Sequence, residues 1–275
     1  TGYIKAFRNA LEGREGVQIM MDTTGVSLIT DGDKVVGVNA TGKEGNAVTL
    51  MANKGVIIAT GGFAGNVELR QKYCEGEKWP DLGPSLTTSN MPGVTGDGIF
   101  MAEAVGADLV DMDQIQLLPF CNPQTGATFD ITSANCFINK EGNRFVREDG
   151  RRDDISLAAL AQTDALFYML ESSDVITDPD NQYDLLGVPM SECINAGAII
   201  VGDTLEALCE KVGWDYETVK AQIDEYNANV DANALKDEYG RALFTIKQEN
   251  GPWYAIPRTP SVHHTMGGVV INADT

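Results

Sequence analysis

The spacing of hydrophobic residues predicts a series of short strands and helices in mixed order. Ile4, Phe7 and Leu11 recur at the spacing of one helix face, which predicts a short helix that ends near Gly13. Short runs rich in β-branched residues follow, separated by turn residues, at 17–21, 26–30, 35–39 and 47–51. Strands joined by short turns commonly pair with their neighbours in sequence, so the pattern predicts an antiparallel meander.

The next hydrophobic run, residues 55–63, is apolar without alternation and contains the turn residues Thr60, Gly61 and Gly62. An apolar strand of this kind is expected where a parallel sheet is covered on both faces. Glycines directly after a buried strand let the backbone approach a ligand that any Cβ would obstruct. The alternative interpretation of these glycines is a tight structural turn without a ligand.

A second glycine-bearing segment, Thr95 to Gly98, precedes a run with the periodicity of a helix. Free amides at the start of a helix attract phosphate or a polarised oxygen, although Asp97 has the alternative role of a helix cap. Met101 occupies the place of the third glycine in G-x-G-x-x-G, and the chain contains no such dinucleotide-binding fingerprint.

The character of the chain changes at about Asp113. A polar stretch that contains prolines extends to Ser133 and indicates an excursion out of the first sheet, and residues 136–146 then predict a hairpin. Apolar spacing and cap residues predict further helices, and the pattern of a strand returns near the end of the chain. The helices are expected at 155–162, 205–212 and 216–230, and the strand at 262–271.

Composition and charge argue against several classes of partner. The 275 residues include 40 acidic and 20 basic side chains, and the net charge of −20 repels nucleic acid backbones and anionic lipid. No apolar run approaches the ~18 residues that a membrane span needs. We therefore predict neither a nucleic acid partner nor a membrane span. The same charge disfavours an anionic substrate unless arginines are concentrated locally, as they are at Arg144, Arg147, Arg151 and Arg152.

The cysteines give no sign of a metal centre. They are five in number, widely spaced, and never form a C-x-x-C pair, at Cys74, Cys121, Cys136, Cys193 and Cys209. A zinc site places ligands close together in sequence, and a disulfide framework uses an even number of cysteines. We therefore predict no metal ligands in this chain.

The two histidines of the chain, His263 and His264, stand shortly before Gly267 and Gly268. An imidazole beside a close backbone approach is typical of an active site, because its protonation is adjustable near neutral pH. The alternative is a plain strand on which one histidine is buried and hydrogen-bonded while the other faces solvent.

Four separated segments carry a resemblance to a known family. They are residues 55–63, 95–98, 142–153 and 263–268, in this order. Together they resemble the flavoprotein subunit of the fumarate reductase and succinate dehydrogenase superfamily, and most closely its soluble fumarate and urocanate reductases. The resemblance covers essentially the whole chain and implies FAD as the cofactor.

The resemblance implies an α/β and α+β fold made of three segments. Residues 1–112 would be part of a Rossmann-like FAD-binding domain with an antiparallel β-meander, residues 113–261 an inserted α+β capping domain, and residues 262–275 a strand that returns to the FAD-binding domain. In the family, a glycine-rich βαβ unit comes before the part that this chain matches, and a segment with a second substrate-binding arginine follows it. The chain is therefore expected to be an internal fragment.

The chemistry of the family implies roles for individual residues. Reduced flavin gives a hydride to one carbon of an activated C=C bond in an unsaturated carboxylate, and an arginine that matches Arg152 protonates the neighbouring carbon. His264 matches the histidine that holds the substrate carboxylate, whereas His263 is expected to face the other side of its strand. Further substrate contacts are expected at Leu118, Thr265 and Met266.

The same resemblance implies which residues contact the flavin nucleotide. They belong to the two glycine-bearing segments, at Ala59, Thr60, Gly61, Gly62, Thr95, Gly96, Asp97 and Gly98. An electron donor, which is an FMN domain, a haem domain or a separate protein in the family, would supply electrons to the flavin.

Several positions depart from the fumarate reductase pattern. Leu118 stands where those enzymes have the histidine of a Gln-x-His-Pro stretch. The acid and arginine that relay protons to the catalytic arginine should fall near Thr128 and Ile131, and neither of these side chains relays protons in that way. Asp130 is a substitute candidate. The departures imply a mono-acid or otherwise less polar enoate as the substrate, for example an aryl-substituted one, rather than fumarate.

Two other interpretations stay open at the level of sequence. The first keeps the fold and reverses the reaction, as in the ketosteroid dehydrogenases of the wider superfamily, which introduce a C=C bond with tyrosine acids and bases; Arg152 argues against it. In the second, the chain is a stably folding cap module that by itself binds no flavin and catalyses nothing. Yellow flavin colour in the purified chain would separate this module from both enzymes.

We predict that the full-length protein reduces an aryl-substituted mono-enoate faster than fumarate. With Leu118 in the histidine's place, the second carboxylate of fumarate would be buried without a partner, at a cost of a few kcal/mol. The measurement is the rate of oxidation of a reduced viologen with each enoate in turn. Equal rates with fumarate and with the best aryl enoate would contradict the prediction.

Overall fold

The computed structural model describes residues 2–74, 79, 81–128 and 134–273. The helices in these residues are α1 (Gly2–Leu11), α2 (Val67–Tyr73), α3 (Asp97–Glu103), α4 (Arg152–Leu160), α5 (Met190–Asn195), α6 (Leu205–Val212) and α7 (Tyr216–Asp231). The strands are β1 (Thr24–Asp31), β2 (Lys34–Thr41), β3 (Ala47–Met51), β4 (Thr87–Thr88), β5 (Leu109–Val110), β6 (Ile115–Cys121), β7 (Cys136–Asn139), β8 (Phe167–Ser172), β9 (Ile200–Gly202), β10 (Trp253–Thr265) and β11 (Gly268–Val269). A 3₁₀ turn occupies Thr163–Ala165.

The chain divides into two compact units. The first consists of Thr1–Gly61, Gly96–Leu109 and Val269–Thr275, and the second of Gly62–Thr95 and Val110–Gly268. These boundaries differ from the three segments expected from sequence, because residues 62–95 belong to the second unit. The expected domain boundaries, between residues 112 and 113 and between residues 261 and 262, stay a prediction. The broader expectation of a mixed α/β architecture with antiparallel sheets is confirmed.

The predicted meander is present in the first unit as the antiparallel sheet β1-β2-β3. Its register pairs Leu28 with Val38 and Val38 with Leu50, so apolar positions of all three strands align. The predicted strand at 17–21 is wrong: this segment is irregular and mostly exposed. Gly16 and Asp22 on either side have positive φ angles of 81° and 51°, which turn the backbone out of the extended conformation.

The apolar run 55–61 also does not form a strand. Ile57 is 92% exposed, and in the part of the chain that the structure describes no strand pairs with this run. An all-apolar strand is stable only when sheet neighbours and helices cover it on both faces. The prediction of a buried parallel strand is therefore wrong for this chain taken alone.

The second unit is organised around the 13-residue strand β10. Its first half pairs antiparallel with β8 and β9, and its second half pairs antiparallel with β6 and parallel with β4. β7 extends the sheet beyond β8. The sequence predicted only the end of this strand, from 262 onward. Its earlier part contains Pro257 and Pro260, and proline within a run argues against a central strand because it cannot donate to the ladder.

Side chains of this sheet alternate between two hydrophobic cores, as the two-residue period of a strand requires. Phe137, Met169 and Ile256 belong to one core, which also takes up residues from α4 and α5. Their strand neighbours, which include Ile138 and Leu170, belong to the other core, where α6 and α7 pack. The sheet of the second unit is thus covered by helices on both faces.

Helices α6 and α7 are confirmed close to their predicted bounds, and their sequences explain where they begin. The side chains of Thr204 and Asp215 accept hydrogen bonds from the amides of Ala207 and Thr218 and so cap the two helices. Helix α1 also forms as predicted, although its apolar residues are exposed within the described structure.

A buried charge network ties together distant segments of the second unit. Arg144 donates to both carboxylate oxygens of Glu148, at 2.7 and 2.8 Å, and to Asp237 at 2.7 Å. The guanidinium of Arg241 lies 3.4 Å from Glu148, and its backbone N–H donates to Asp237. Glu148 also accepts the backbone N–H of Phe137 in β7. Burial alone lowers the pKa of Arg144, but hydrogen bonds and the charge of Glu148 raise it above its ordinary value.

We predict that Glu148→Leu destabilises the second unit by about 3–5 kcal/mol, because it leaves two buried guanidinium groups without their shared carboxylate. The measurement is urea unfolding followed by tryptophan fluorescence. This signal reports on the second unit, which contains all three tryptophans, Trp79, Trp214 and Trp253.

The matched control is Glu210→Leu, which removes an exposed glutamate of α6 and should change stability by no more than about 0.5 kcal/mol. If both variants unfold at the same urea concentration and with the same slope, the network does not support the fold as described.

Candidate active site

The histidine pair lies at an irregularity in the pairing of β10 with β6. Val262 pairs with Leu117 and His264 with Gln116, so His263 is an extra residue on its strand. A bulge of this kind interrupts the alternation of side chains and redirects them locally. The two imidazole rings therefore lie next to each other, with centroids 4.1 Å apart. The prediction that His263 faces the other side of the strand is wrong.

The segment from Thr88 to Asn90 holds this bulge in place. The hydroxyl of Ser89 lies 2.7 Å from Nδ1 of His263, and the amide of Asn90 donates to the backbone oxygen of His263 at 2.5 Å. The Thr88 hydroxyl donates to the backbone oxygen of Val262 at 2.9 Å. Sequence reasoning missed these contacts, since β4 is two residues long and a run of short polar residues has no specific signature.

Arg152 is the first residue of α4, which packs against β6 and β10. The next residue, Asp153, accepts the backbone N–H of Leu117 at 3.4 Å, so α4 begins beside the pairing partner of Val262. Burial lowers the pKa of His263, and the nearby His264 and Arg152 lower it further. Arg152 and the histidine pair thus share one electrostatic environment within the second unit.

The four clustered arginines differ in what surrounds them. Arg144 is buried in the charge network, Arg147 pairs with Asp149 at 2.5 Å, and Arg151 lies 3.8 Å from Asp153. Arg152 is exposed and, counting only side chains that the structure describes, forms no ion pair. Its guanidinium is therefore available to a carboxylate from outside the chain.

The other predicted substrate contacts are in different environments. Thr265 is half-buried next to His264, and Met266 is exposed. Leu118 is 6% exposed and belongs to the core beside α4 and α5, so its contact with a substrate stays a prediction. Of the residues considered for the proton relay, the Thr128 hydroxyl lies 3.7 Å from the sulfur of Cys121. Asp130 and Ile131 lie outside the described residues.

Gly62, predicted to contact the flavin, lies against Thr265, predicted to contact the substrate. A Cβ on Gly62 would come within 1.8 Å of the Thr265 hydroxyl, which accepts the backbone N–H of Phe63. Nearby in the same unit, the side chain of Asn66 donates to the backbone oxygen of Thr95. The structure therefore brings one predicted flavin residue to the strand that carries the histidines.

Apart from Thr95, which lies in the second unit, the remaining predicted flavin residues belong to the first unit. A Cβ on Gly98 would lie 2.1 Å from the Thr60 hydroxyl and 2.5 Å from the side chain of Ile58, so α3 packs directly on the segment that contains Ala59 and Gly61. Gly96 is the N-cap of α3, with a positive φ of 90°, and among the described residues no side chain caps this helix end. The alternative role of Asp97 as the cap is therefore wrong.

These residues fit an FAD nucleotide. Glycine backbone and the Thr60 hydroxyl are adjacent at the start of α3, and the helix amides there are left without a side-chain acceptor. The part of the chain that the structure describes contains no cluster of three His, Cys, Asp or Glu side chains suited to a metal ion, and all five cysteines are buried free thiols. None of the helices in these described residues combines the length and the apolar character that a membrane span requires.

Comparison with known proteins defines the class. Residues 2–275 match the family described as FAD binding domain. The structure is similar to the open conformation of a flavocytochrome c3 fumarate reductase, with a TM-score of 0.75 and 29% identity over 98% of this chain and 45% of that one. The chain belongs to the FAD-dependent, fumarate reductase-like flavoproteins, which confirms the predicted family and its FAD cofactor.

The chain is also similar to particular curated relatives. It is 38% identical to the NADH:acrylate oxidoreductase of Vibrio harveyi, over 93% of this chain and 25% of that protein. It is 36% identical to the urocanate reductase of Eggerthella lenta, over the whole of this chain and 45% of that protein. The chain thus spans less than half the length of these relatives. A 3-ketosteroid Δ1-dehydrogenase of Sterolibacterium denitrificans, 21% identical over 92% of this chain and 50% of that one with a TM-score of 0.67, shares the fold.

We predict that Gly98→Ala displaces α3 from the segment at Thr60 and lowers the FAD content of the full-length protein. The added Cβ overlaps Thr60 and Ile58, and such overpacking costs about 1–3 kcal/mol. The measurement is the ratio of flavin absorbance to protein absorbance after purification.

Gly93→Ala is the matched control, because a Cβ at Gly93 would meet no atom within 4 Å. If Gly98→Ala retains as much FAD as this control, the close packing of α3 on Thr60 is not needed for binding.

Proposed function

We propose that the protein containing this chain is an FAD-dependent reductase of the activated C=C bond in an α,β-unsaturated carboxylate. The observation that carries the proposal is the position of Arg152. It lies at the start of α4, it forms no ion pair with described residues, and its charge, after burial and His264, contributes to the lowered pKa of His263. The relatives named for acrylate and urocanate support the substrate class.

Residues of the first unit would hold the cofactor. Thr60, Gly61, Gly96 and Gly98 combine a hydroxyl, close backbone approach and the amides of α3, which suit a dinucleotide. When bound, FAD supplies the hydride that one carbon of the double bond receives. Ala59 and Asp97 belong to the same proposal, whereas contacts from Gly62 and Thr95, which lie in the second unit, stay predictions.

Arg152 would bind the substrate and deliver the proton. A guanidinium forms two parallel hydrogen bonds with a carboxylate, and a fixed positive charge stabilises the enolate-like charge that develops when the double bond is reduced. An Nη proton of Arg152 would then pass to the carbon next to the carboxylate. Because a guanidinium is a very weak acid, this transfer requires a site without water and rapid return of a proton to the guanidine.

The histidines would orient the carboxylate. His264 is the proposed substrate contact, and the bulge brings His263 to the same side, where burial first and then His264 and Arg152 lower its pKa and favour the neutral ring. A neutral imidazole offers one N–H donor without adding a second positive charge beside Arg152. Thr265 and Met266 follow directly on the strand and complete the proposed contacts.

The proposed substrate is a mono-acid rather than fumarate. Leu118 supplies no hydrogen bond to a second carboxylate, and burial of an unpaired carboxylate is costly. The proposal includes an electron donor of one of three classes: an FMN domain, a haem domain or a separate protein. The reverse reaction, dehydrogenation as in the ketosteroid dehydrogenases, has support from the fold alone.

We predict that Arg152→Ala lowers kcat/KM for the best enoate by about 10²-fold or more in the full-length, FAD-loaded protein, since the proton donor is lost. The assay follows oxidation of a reduced viologen. A dye-coupled assay with the saturated acid, run in parallel, tests the dehydrogenase alternative.

Arg151→Ala provides the matched control, because Arg151 is the preceding residue and its side chain is 80% exposed. This variant should stay within about 3-fold of the native rate. Activity of Arg152→Ala within about 10-fold of the native protein would refute the assigned role.

A further inference from the structure

The hydrogen bond between Ser89 and His263 has two orientations with different chemical results. Oγ and Nδ1 are 2.7 Å apart, and either atom is able to donate. If the hydroxyl donates, a neutral His263 carries its proton on Nε2; if Nδ1 donates, Nε2 presents a lone pair. Since Nε2 is the outer nitrogen of the ring, Ser89 decides whether the imidazole offers a donor or an acceptor to a ligand.

We infer that Ser89 is a positioning residue, whose hydroxyl donates to Nδ1 of His263 and fixes the Nε2–H tautomer as a neutral donor for the substrate carboxylate. This inference rests on the proposed function, because a carboxylate is repelled by a lone pair on Nε2 and attracted by an N–H. Ser89 contacts neither the substrate nor the cofactor in this role; it acts through His263.

The surroundings of His263 keep its ring neutral and its position fixed. The groups that bear on it are the imidazole of His264, the guanidinium of Arg152, the Ser89 hydroxyl and the amide of Asn90. Burial, His264 and Arg152 all disfavour a proton on both nitrogens. With the ring neutral, the tautomer is the remaining variable, and Ser89 is the side chain that hydrogen-bonds its inner nitrogen.

The segment that carries Ser89 is itself held by a buried cation. Arg70, in α2, is 2% exposed, and its guanidinium donates to the backbone oxygens of Gly83, Leu86 and Thr87. The backbone N–H of Ser89 then donates to the backbone oxygen of Val262. These hydrogen bonds hold the main chain from which the Ser89 hydroxyl reaches His263, although the side chain of Ser89 is exposed.

The first test is a ¹⁵N NMR titration of the full-length, FAD-loaded protein, with the His263 signal identified by its loss in His263→Gln. Ser89→Ala should raise the pKa of His263 by about half a unit to one unit, because it removes a bond to the neutral form. It should also reduce the Nε2–H fraction. Ser89→Thr, which keeps the hydroxyl, should restore both values. Ser173→Ala, which removes an exposed hydroxyl that donates to backbone oxygens elsewhere, should leave them unchanged.

A fall in the pKa of His263 in Ser89→Ala, or no change, would overturn the inference, because the hydroxyl would then accept from Nδ1 or have no effect. The second test is the kinetics of enoate reduction, where Ser89→Ala should raise KM about 3- to 10-fold and change kcat less than about 2-fold. An unchanged KM would also overturn the inference. If the native protein reduces no enoate, the proposed function fails, and the titration still decides the role of Ser89 toward His263.

Discussion

The carboxylate of Glu148 is the contact on which the arrangement of the second unit depends. It receives the guanidinium groups of Arg144 and Arg241 and the backbone of β7, and Asp237 completes the charge balance. Fully buried ions are tolerated only where each is paired and hydrogen-bonded, so these segments have little freedom to move separately. Glu148 is also four residues before Arg152, which starts α4 where the chain leaves the network. The buried charge network thus ends four residues before the exposed guanidinium of Arg152.

A second constraint comes from β10, which pairs with four other strands and ends at the histidines. Its bulge at His263 would be a weak point in an isolated sheet, because an extra residue leaves part of the ladder unpaired. Here the side chains of Thr88 and Asn90 take up the backbone oxygens of Val262 and His263. These side chains supply hydrogen bonds that the irregular backbone lacks within the ladder, and they thereby offset part of the cost of the bulge.

The sequence allowed prediction of features that depend on local chemistry. Helices α6 and α7 have capping residues and regular apolar spacing, and the three meander strands are joined by short turns, so their existence follows from neighbouring residues. Residues 55–61 could not be predicted in the same way, because membership of a sheet depends on partners distant in sequence. The same applies to the first half of β10. This segment forms a strand although it contains Pro257, and a proline within an apolar run argues against a strand. For the site, the motif containing Arg152 and the histidines was recognisable, whereas the bulge and the contact with Ser89 depend on a two-residue strand.

Charge explains why one arginine of four suits the proposed chemistry. With a net charge of −20, the chain repels carboxylates at long range, so the proposed binding of a carboxylate requires a short-range contact with a cation. Arg144 satisfies buried carboxylates, and Arg147 and Arg151 lie beside Asp149 and Asp153. Among the described side chains, Arg152 has no ion-pair partner, so its guanidinium stays available to an external anion. The pKa of His263 is lowered first by burial and then by the charges of His264 and Arg152, so the guanidinium proposed to attract the substrate also disfavours a second positive charge on this imidazole.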